Sequence, residues 1–136
     1  MPTAAEEALV TIDQEADIVR ARQCGREMAA RIGFGSTDQT LIATAISEIA
    51  RNIVTYAGTG EIVLRVIHTG ADIGLEVVAR DNGPGIPDIE QAMRDGFSTG
   101  QSLGLGLPGA RRLMDQFDIS SEAGRGTTVS MVKWRP

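Results

Sequence analysis

The turn Asp81-Asn82-Gly83-Pro84-Gly85-Ile86 constrains this chain more than any other segment. It follows a stretch over 75–80 whose apolar residues recur at a period close to two, which predicts a strand. The turn therefore sets one carboxylate at a strand end, ahead of Gly83 and Gly85. A carboxylate there can accept a hydrogen bond from a ligand amine, and the glycines let the backbone close around a flat ring. A second glycine run, Gly104-Leu105-Gly106-Leu107, opens a predicted helix. The unpaired N–H groups and the dipole of a helix start suit an anion. Pro108 falls in the first turn, where its missing N–H has no helical acceptor to lose. One loop suits a base and the other suits phosphates, so together they read as a nucleotide pocket.

Each signal has a plainer reading. Asp81 through Gly85 could be a turn with Asx-type bonding, and glycine loops are common. The second run is not a Walker motif, since no Gly-Lys-Ser/Thr follows it. Nor is it a dinucleotide fingerprint, because it is not the first strand–helix turn. Gly126-Thr127, entering the last predicted strand, is weak alone; a Thr127 hydroxyl there could reach a base through Asp81 or water.

The chain of 136 residues is the size of one domain, and 1–136 is expected to fold as one around a single core. A net charge of −5 argues against a nucleic-acid partner. No stretch approaches the roughly 20 apolar residues of a membrane span, and the N-terminus lacks a signal-peptide pattern. A cytoplasmic setting without a membrane partner is the expectation. Cys24 and His68 are the single cysteine and histidine, which removes an internal disulfide and a zinc site from consideration. Cys24 reads as core filler.

Along the chain, residues 1–7 are expected to be loose, with a short strand over 9–12. A helix over Glu15–Arg31 should turn Ile18, Val19, Cys24, Met28 and Ile32 to one side. Ser36 and Gln39 fit a capping box. The helix they start should run to about Tyr56 on a broad stripe of Leu41, Ile42, Ala45, Ile46, Ile49, Ile53 and Val54. A hairpin pairs 61–68 with 73–80. A short helix over 87–94, a Gly- and Ser/Thr-rich loop over 96–106 and a helix over 107–117 follow. Strands over 118–122 and 127–134 close the chain. This order predicts an α/β (α+β) two-layer sandwich: a mixed, mainly antiparallel sheet covered on one face by helices.

Glu48 and Asn52 lie four apart on the second helix, so they share a face among Ile46, Ile49 and Ile53. A surface helix can carry such a pair by chance. With the glycine loops present, the pair gains meaning. An Asn oxygen is a good neutral ligand for Mg²⁺, which keeps waters and takes few protein ligands. A Glu one turn away can orient or deprotonate a nucleophile.

Taken in order, these segments resemble the GHKL (Bergerat-fold) ATP-binding family of histidine-kinase catalytic domains, gyrase-type ATPases, Hsp90 and anti-sigma-factor serine kinases. Ser47-Glu48-Ile49-Ala50-Arg51-Asn52 matches its N-box. Asp81 through Gly85, Gly104 through Leu107, and Gly124-Arg125-Gly126-Thr127 match its three glycine boxes. The resemblance spans about 8–134. It is strongest to the serine kinases of stressosome-type partner-switching modules, through 45–53, 95–99, 106–109 and 112–115. It implies a Bergerat fold that binds ATP and Mg²⁺. Glu48 is then the catalytic base and Asn52 the metal ligand. Asp81 holds the adenine amine, with Gly83, Gly85, Ile86, Gly104, Leu105, Gly106, Leu107 and Thr127 lining the nucleotide site. It further implies a STAS-domain antagonist as phosphorylation substrate, and a PP2C-type phosphatase activated when the kinase is released. Two alternatives stay open: an anti-sigma factor that sequesters a sigma subunit, and a non-catalytic nucleotide sensor. Thr55 departs from the basic residue common after the N-box in histidine kinases, and His68-Thr69 lacks the acidic residue of a phosphorylated-His motif.

Overall fold

Apolar alternation builds the sheet, and its register stacks the alternating residues into rows. The computed structural model describes residues 7–85, 93 and 106–136. The strands are β1 (Glu7–Ile12), β2 (Gly60–Thr69), β3 (Asp72–Asp81), β4 (Gln116–Glu122) and β5 (Gly126–Trp134). They lie in the order β1-β2-β3-β5-β4. One row runs Val10, Ile62, Ala79, Val129, Ile119; the next runs Ala8, Leu64, Val77, Met131, Phe117. Both rows face the helices and belong to the core. The opposite face carries Leu9, Val63 and Val78, with Arg65 paired to Glu76 and Arg80 to Glu61. Among the described residues every pairing is antiparallel, so the sheet expected to be mixed and mainly antiparallel is antiparallel there.

The covering layer is α1 (Glu15–Arg31), α2 (Ser36–Asn52) and α3 (Gly106–Leu113) among the described residues. α1 packs against α2, and α3 packs against α2 from its other side. α2 is the central element: Ile42, Ala45, Ile46, Ile49 and Ile53 of its stripe are buried, as the periodicity predicts. Each such aliphatic side chain contributes about 1.5–3 kcal/mol by burial. Beyond Asn52 the helix widens into one π-helical turn, Ile53–Ala57, closed by Gly58 N–H donating to Ile53 O at 2.8 Å. Among the described residues no helix is long and apolar enough to cross a membrane.

The structure corrects the sequence reading at several ends. Glu7 already pairs with Arg65 in β1, so the first strand starts within the stretch expected to be loose. Val19 is 39% exposed, because the buried side of α1 is the narrower set Ile18, Ala21, Gly25, Met28 and Ala29. Cys24 is half-buried against the core, where burial, assisted by the Glu27 charge, raises its thiol pKa. Ser36 does not cap α2: Gly35 occupies that position, and Gln39 reaches back to the Phe34 carbonyl instead, at 2.8 Å. The last helix stops at Leu113. Asp115 N–H already bonds Val132 O at 2.9 Å, which carries Gln116 and Phe117 into β4. Lys133 Nζ donates to Leu113 O at 3.0 Å, a cation at the negative end of α3. The helix expected over 87–94 and the loop expected over 96–106 lie outside the described residues, except Met93 and Gly106, and Gly106 is the first residue of α3 rather than the end of the loop.

Leu64 is fully buried in the second row, beneath the helices, whereas Leu9 is 58% exposed on the open face. Leu64→Ala should therefore lower unfolding free energy by about 2–5 kcal/mol, the usual cost of emptying a core leucine site. Leu9→Ala should change it by less than about 0.5 kcal/mol. Urea unfolding of the two variants checks this; similar midpoints would contradict the placement of the core.

Candidate functional site

α2 brings a carboxylate into the interior. Glu48 is 6% exposed, flanked by buried Ser47, Ile49 and Ala50. Its Oε2 accepts the Gly106 N–H at 3.1 Å, and Arg51 Nη1 donates to its Oε1 at 3.4 Å. Gly106 is the first residue of α3, so the hydrogen bond ties the start of one helix to the last turns of another. Leu107, Pro108, Gly109 and Ala110 are buried behind it. Asn52, four residues on from Glu48 and half-buried, ends α2 where the π-helical turn begins. Such turns frequently mark functional sites.

The second part of the site comes from the sheet. Asp81 ends β3, and its Oδ1 accepts the Gly83 N–H at 2.9 Å. This is the Asx bonding that the plainer reading of the turn foresees. It uses one oxygen; no described residue donates to Oδ2. Packing joins this turn to the end of α2. A Cβ on Gly83 would stand 2.6 Å from the Ala57 Cβ, and one on Gly60 would stand 2.9 Å from Ile53 and 3.1 Å from the Asp81 Cβ. Glu48, Asn52, the start of α3 and Asp81 therefore belong to one end of the molecule.

The β4–β5 hairpin fixes the turn from its other side. Gly124 N–H donates to Pro84 O at 2.7 Å. Two glycines are required there. Gly85 has φ +81° and its Cβ would overlap the Glu122 carbonyl; Gly126 has φ +106° and its Cβ would overlap the Asp81 carbonyl. The close approach sets Thr127 directly across from Asp81, and Ser121 across from Thr127. Thr127 Oγ1 lies 2.9 Å from Ser121 Oγ. Ser121 was absent from the sequence reading; its place opposite Thr127 across the hairpin could have suggested it.

Of the residues that the sequence reading assigned to a site, Glu48, Asn52, Asp81, Gly83, Gly85, Gly106, Leu107 and Thr127 are described and lie around this end. Ile86, Gly104 and Leu105 lie outside the described residues. Among the described residues no three of His, Cys, Asp and Glu gather to hold a metal by themselves. Asn52 offers a neutral side-chain oxygen, which fits a hard cation arriving with phosphate oxygens and waters of its own. The donor set also fits a nucleotide: acceptor oxygens on the Asp81–Thr127 row, and a helix start at Gly106.

Comparison with known proteins agrees with this geometry. Residues 37–135 match the family model described as histidine kinase-, DNA gyrase B-, and HSP90-like ATPase. The serine/threonine-protein kinase RsbT of Bacillus subtilis (strain 168) is 52% identical over 129 residues, covering 95% of this chain and 97% of that protein. The anti-sigma F factor of Thermoanaerobacter pseudethanolicus is 34% identical over 99 residues, covering 68% of each. Among solved structures, the RsbU and RsbW domains of a Mycobacterium tuberculosis protein superpose with a TM-score of 0.63 at 26% identity. That match covers 99% of this chain and 34% of the longer one.

Gly124 and Gly126 both have positive φ, but a Cβ on Gly124 would meet nothing within 4 Å. Gly126→Ala should therefore destabilise the chain by about 1–3 kcal/mol more than Gly124→Ala, the difference reporting the clash with Asp81. Parallel denaturant titrations of the two variants check it, and equal losses would contradict the close approach.

Proposed function

The chain belongs to the histidine kinase-, DNA gyrase B- and HSP90-like ATPase family and is a serine/threonine protein kinase within it; from that premise we propose its substrate and the roles of its residues. It transfers the γ-phosphoryl group of Mg-ATP to a serine of a small STAS-domain antagonist. When released from that partner, it activates a PP2C-type phosphatase in a cytoplasmic switching module. The observation that carries the reading is the hydrogen bond from Gly106 N–H to buried Glu48, which sets the candidate base at the helix start suited to phosphates.

In this reading Asp81 Oδ2 accepts from the adenine amine while Oδ1 keeps the turn through Gly83. Gly83, Gly85 and Thr127 line the base, and the start of α3 at Gly106 and Leu107 faces the phosphates; Ile86, Gly104 and Leu105 are assigned to the nucleotide by motif alone. Asn52 would hold Mg²⁺, which when bound neutralises charge on the phosphate oxygens. Glu48 orients the incoming serine hydroxyl and accepts its proton. The serine oxygen bonds to the γ-phosphorus as the bond to the β–γ bridging oxygen breaks, leaving ADP. Such transfer rests on positioning and charge neutralisation, so few side chains suffice.

The identity to an anti-sigma F factor favours one second reading, in which the same kinase sequesters a sigma subunit. Pull-down against a sigma factor and a STAS-domain protein separates the two.

Asp81→Asn keeps an oxygen for Gly83 but turns a donor toward the ligand amine. Affinity for a fluorescent ATP analogue should fall about 10- to 150-fold with the fold intact. Equal affinity would remove Asp81 from the site. Glu48→Ala should keep nucleotide affinity but lower label transfer from γ-labelled ATP to the antagonist's serine by roughly 10²–10⁴-fold. Asn52→Ala should weaken Mg²⁺-dependent binding and transfer together. Full transfer by Glu48→Ala would rule out its role as base.

A further inference from the structure

The carboxylate of Glu48 is held at both oxygens. Gly106 N–H donates to Oε2 at 3.1 Å, and Arg51 Nη1 donates to Oε1 at 3.4 Å. The terminal torsion of a glutamate has only broad, two-fold preferences, so bonds to its oxygens set the carboxylate plane. A single bond leaves that plane free to swing about the contact. Two bonds on opposite oxygens fix it. An ionised carboxylate has about four lone-pair sites, so roughly two remain for an incoming donor.

Stability gives little reason for Arg51 to stand there. Its side chain is 41% exposed, and water screens an ion pair whose cation is this open. Nor does it complement a helix end. Beyond Asn52 the backbone continues through the π-helical turn to Ala57, which carries the negative end of the helix past Arg51. Among the described residues, the Arg51 side chain bonds only to Glu48. We propose that Arg51 is a positioning residue for phosphoryl transfer: it holds Glu48 Oε1 so that the remaining lone pairs keep one direction toward the incoming serine hydroxyl. The proposal rests on the proposed role of Glu48 as base and adds the residue that aims it. Arg51 acts through Glu48 and touches neither nucleotide nor serine. Aiming of this kind raises the rate of the chemical step and leaves nucleotide affinity alone.

The test is single-turnover label transfer from γ-labelled Mg-ATP to a STAS-domain protein, with both at saturation. Arg51→Met, which keeps an apolar stem, should lower the transfer rate about 5- to 10-fold, the worth of one hydrogen bond. Its affinity for a fluorescent ATP analogue and its urea midpoint should match wild type. Arg51→Lys, which keeps a cation and a donor, should recover most of the rate. In a Glu48→Ala background, adding Arg51→Met should cost nothing further, because no carboxylate remains to orient. An unchanged or faster rate in Arg51→Met overturns the positioning role. So does a rate loss matched by lost nucleotide affinity or a lower urea midpoint, which would make the arginine structural. The same loss in the Glu48→Ala background also overturns it, since the guanidinium would then act on phosphate or serine directly. In these three cases wild-type transfer, and its fall in Glu48→Ala, leave the proposed function standing. Full transfer by Glu48→Ala removes the base and this proposal together, and a wild-type chain that labels no STAS-domain protein overturns both the proposal and the proposed function.

Discussion

Glu48 places a carboxylate on a helix face that is otherwise apolar, and much of the site follows from satisfying it. A buried carboxylate without partners costs several kcal/mol. A helix start has the complementary problem, because its first N–H groups lack acceptors within the helix. The Gly106 N–H and Glu48 Oε2 answer each other across 58 residues of sequence. Arg51, more exposed, stands at the other oxygen. α3 is thereby fixed to α2 one helical turn before Asn52. In the proposed reading this brings a proton acceptor, a cation ligand and a phosphate-facing helix start to one place with three residues.

The Asp81 end of the sheet, which the proposed reading gives to the base, is built by backbone rather than by charge. β3 and β5 approach so closely at Asp81 and Gly126 that a side chain on Gly126 does not fit. The bond from Gly124 N–H to Pro84 O locks the adjoining turn to the β4–β5 hairpin. Asp81 is therefore aimed by two hairpins, and its own Asx bond sets which oxygen is left to face a ligand. In the proposed reading, rigid strand ends suit a residue that accepts from one ligand amine, because its orientation is set before the ligand arrives.

Much of this was legible because its signals are local. Alternation in 61–68 and 73–80 marks the central hairpin, and the isoleucine stripe of α2 marks its buried side. The family match rests on short motifs that keep their order and spacing. The misses are places where neighbours decide. Phe117 continues the helical pattern until pairing with Met131 draws it into β4. Ser36 has the chemistry of a cap, yet the helix begins one residue too early for it to act as one. The π-helical turn after Asn52 has no sequence signature, and Ser121 gains meaning only once register sets it across from Thr127.

The most direct test of the account is a chemical-shift map of backbone amides on adding Mg-ATP to the labelled chain. The account predicts large shifts at Gly83, Gly106 and Thr127, with smaller ones near Asn52, and none at Val63 or Val78 on the open face of the sheet. Shifts concentrated on that open face, or a Gly106 amide that ignores the nucleotide, would contradict the placement of the phosphates at the start of α3 beside Glu48.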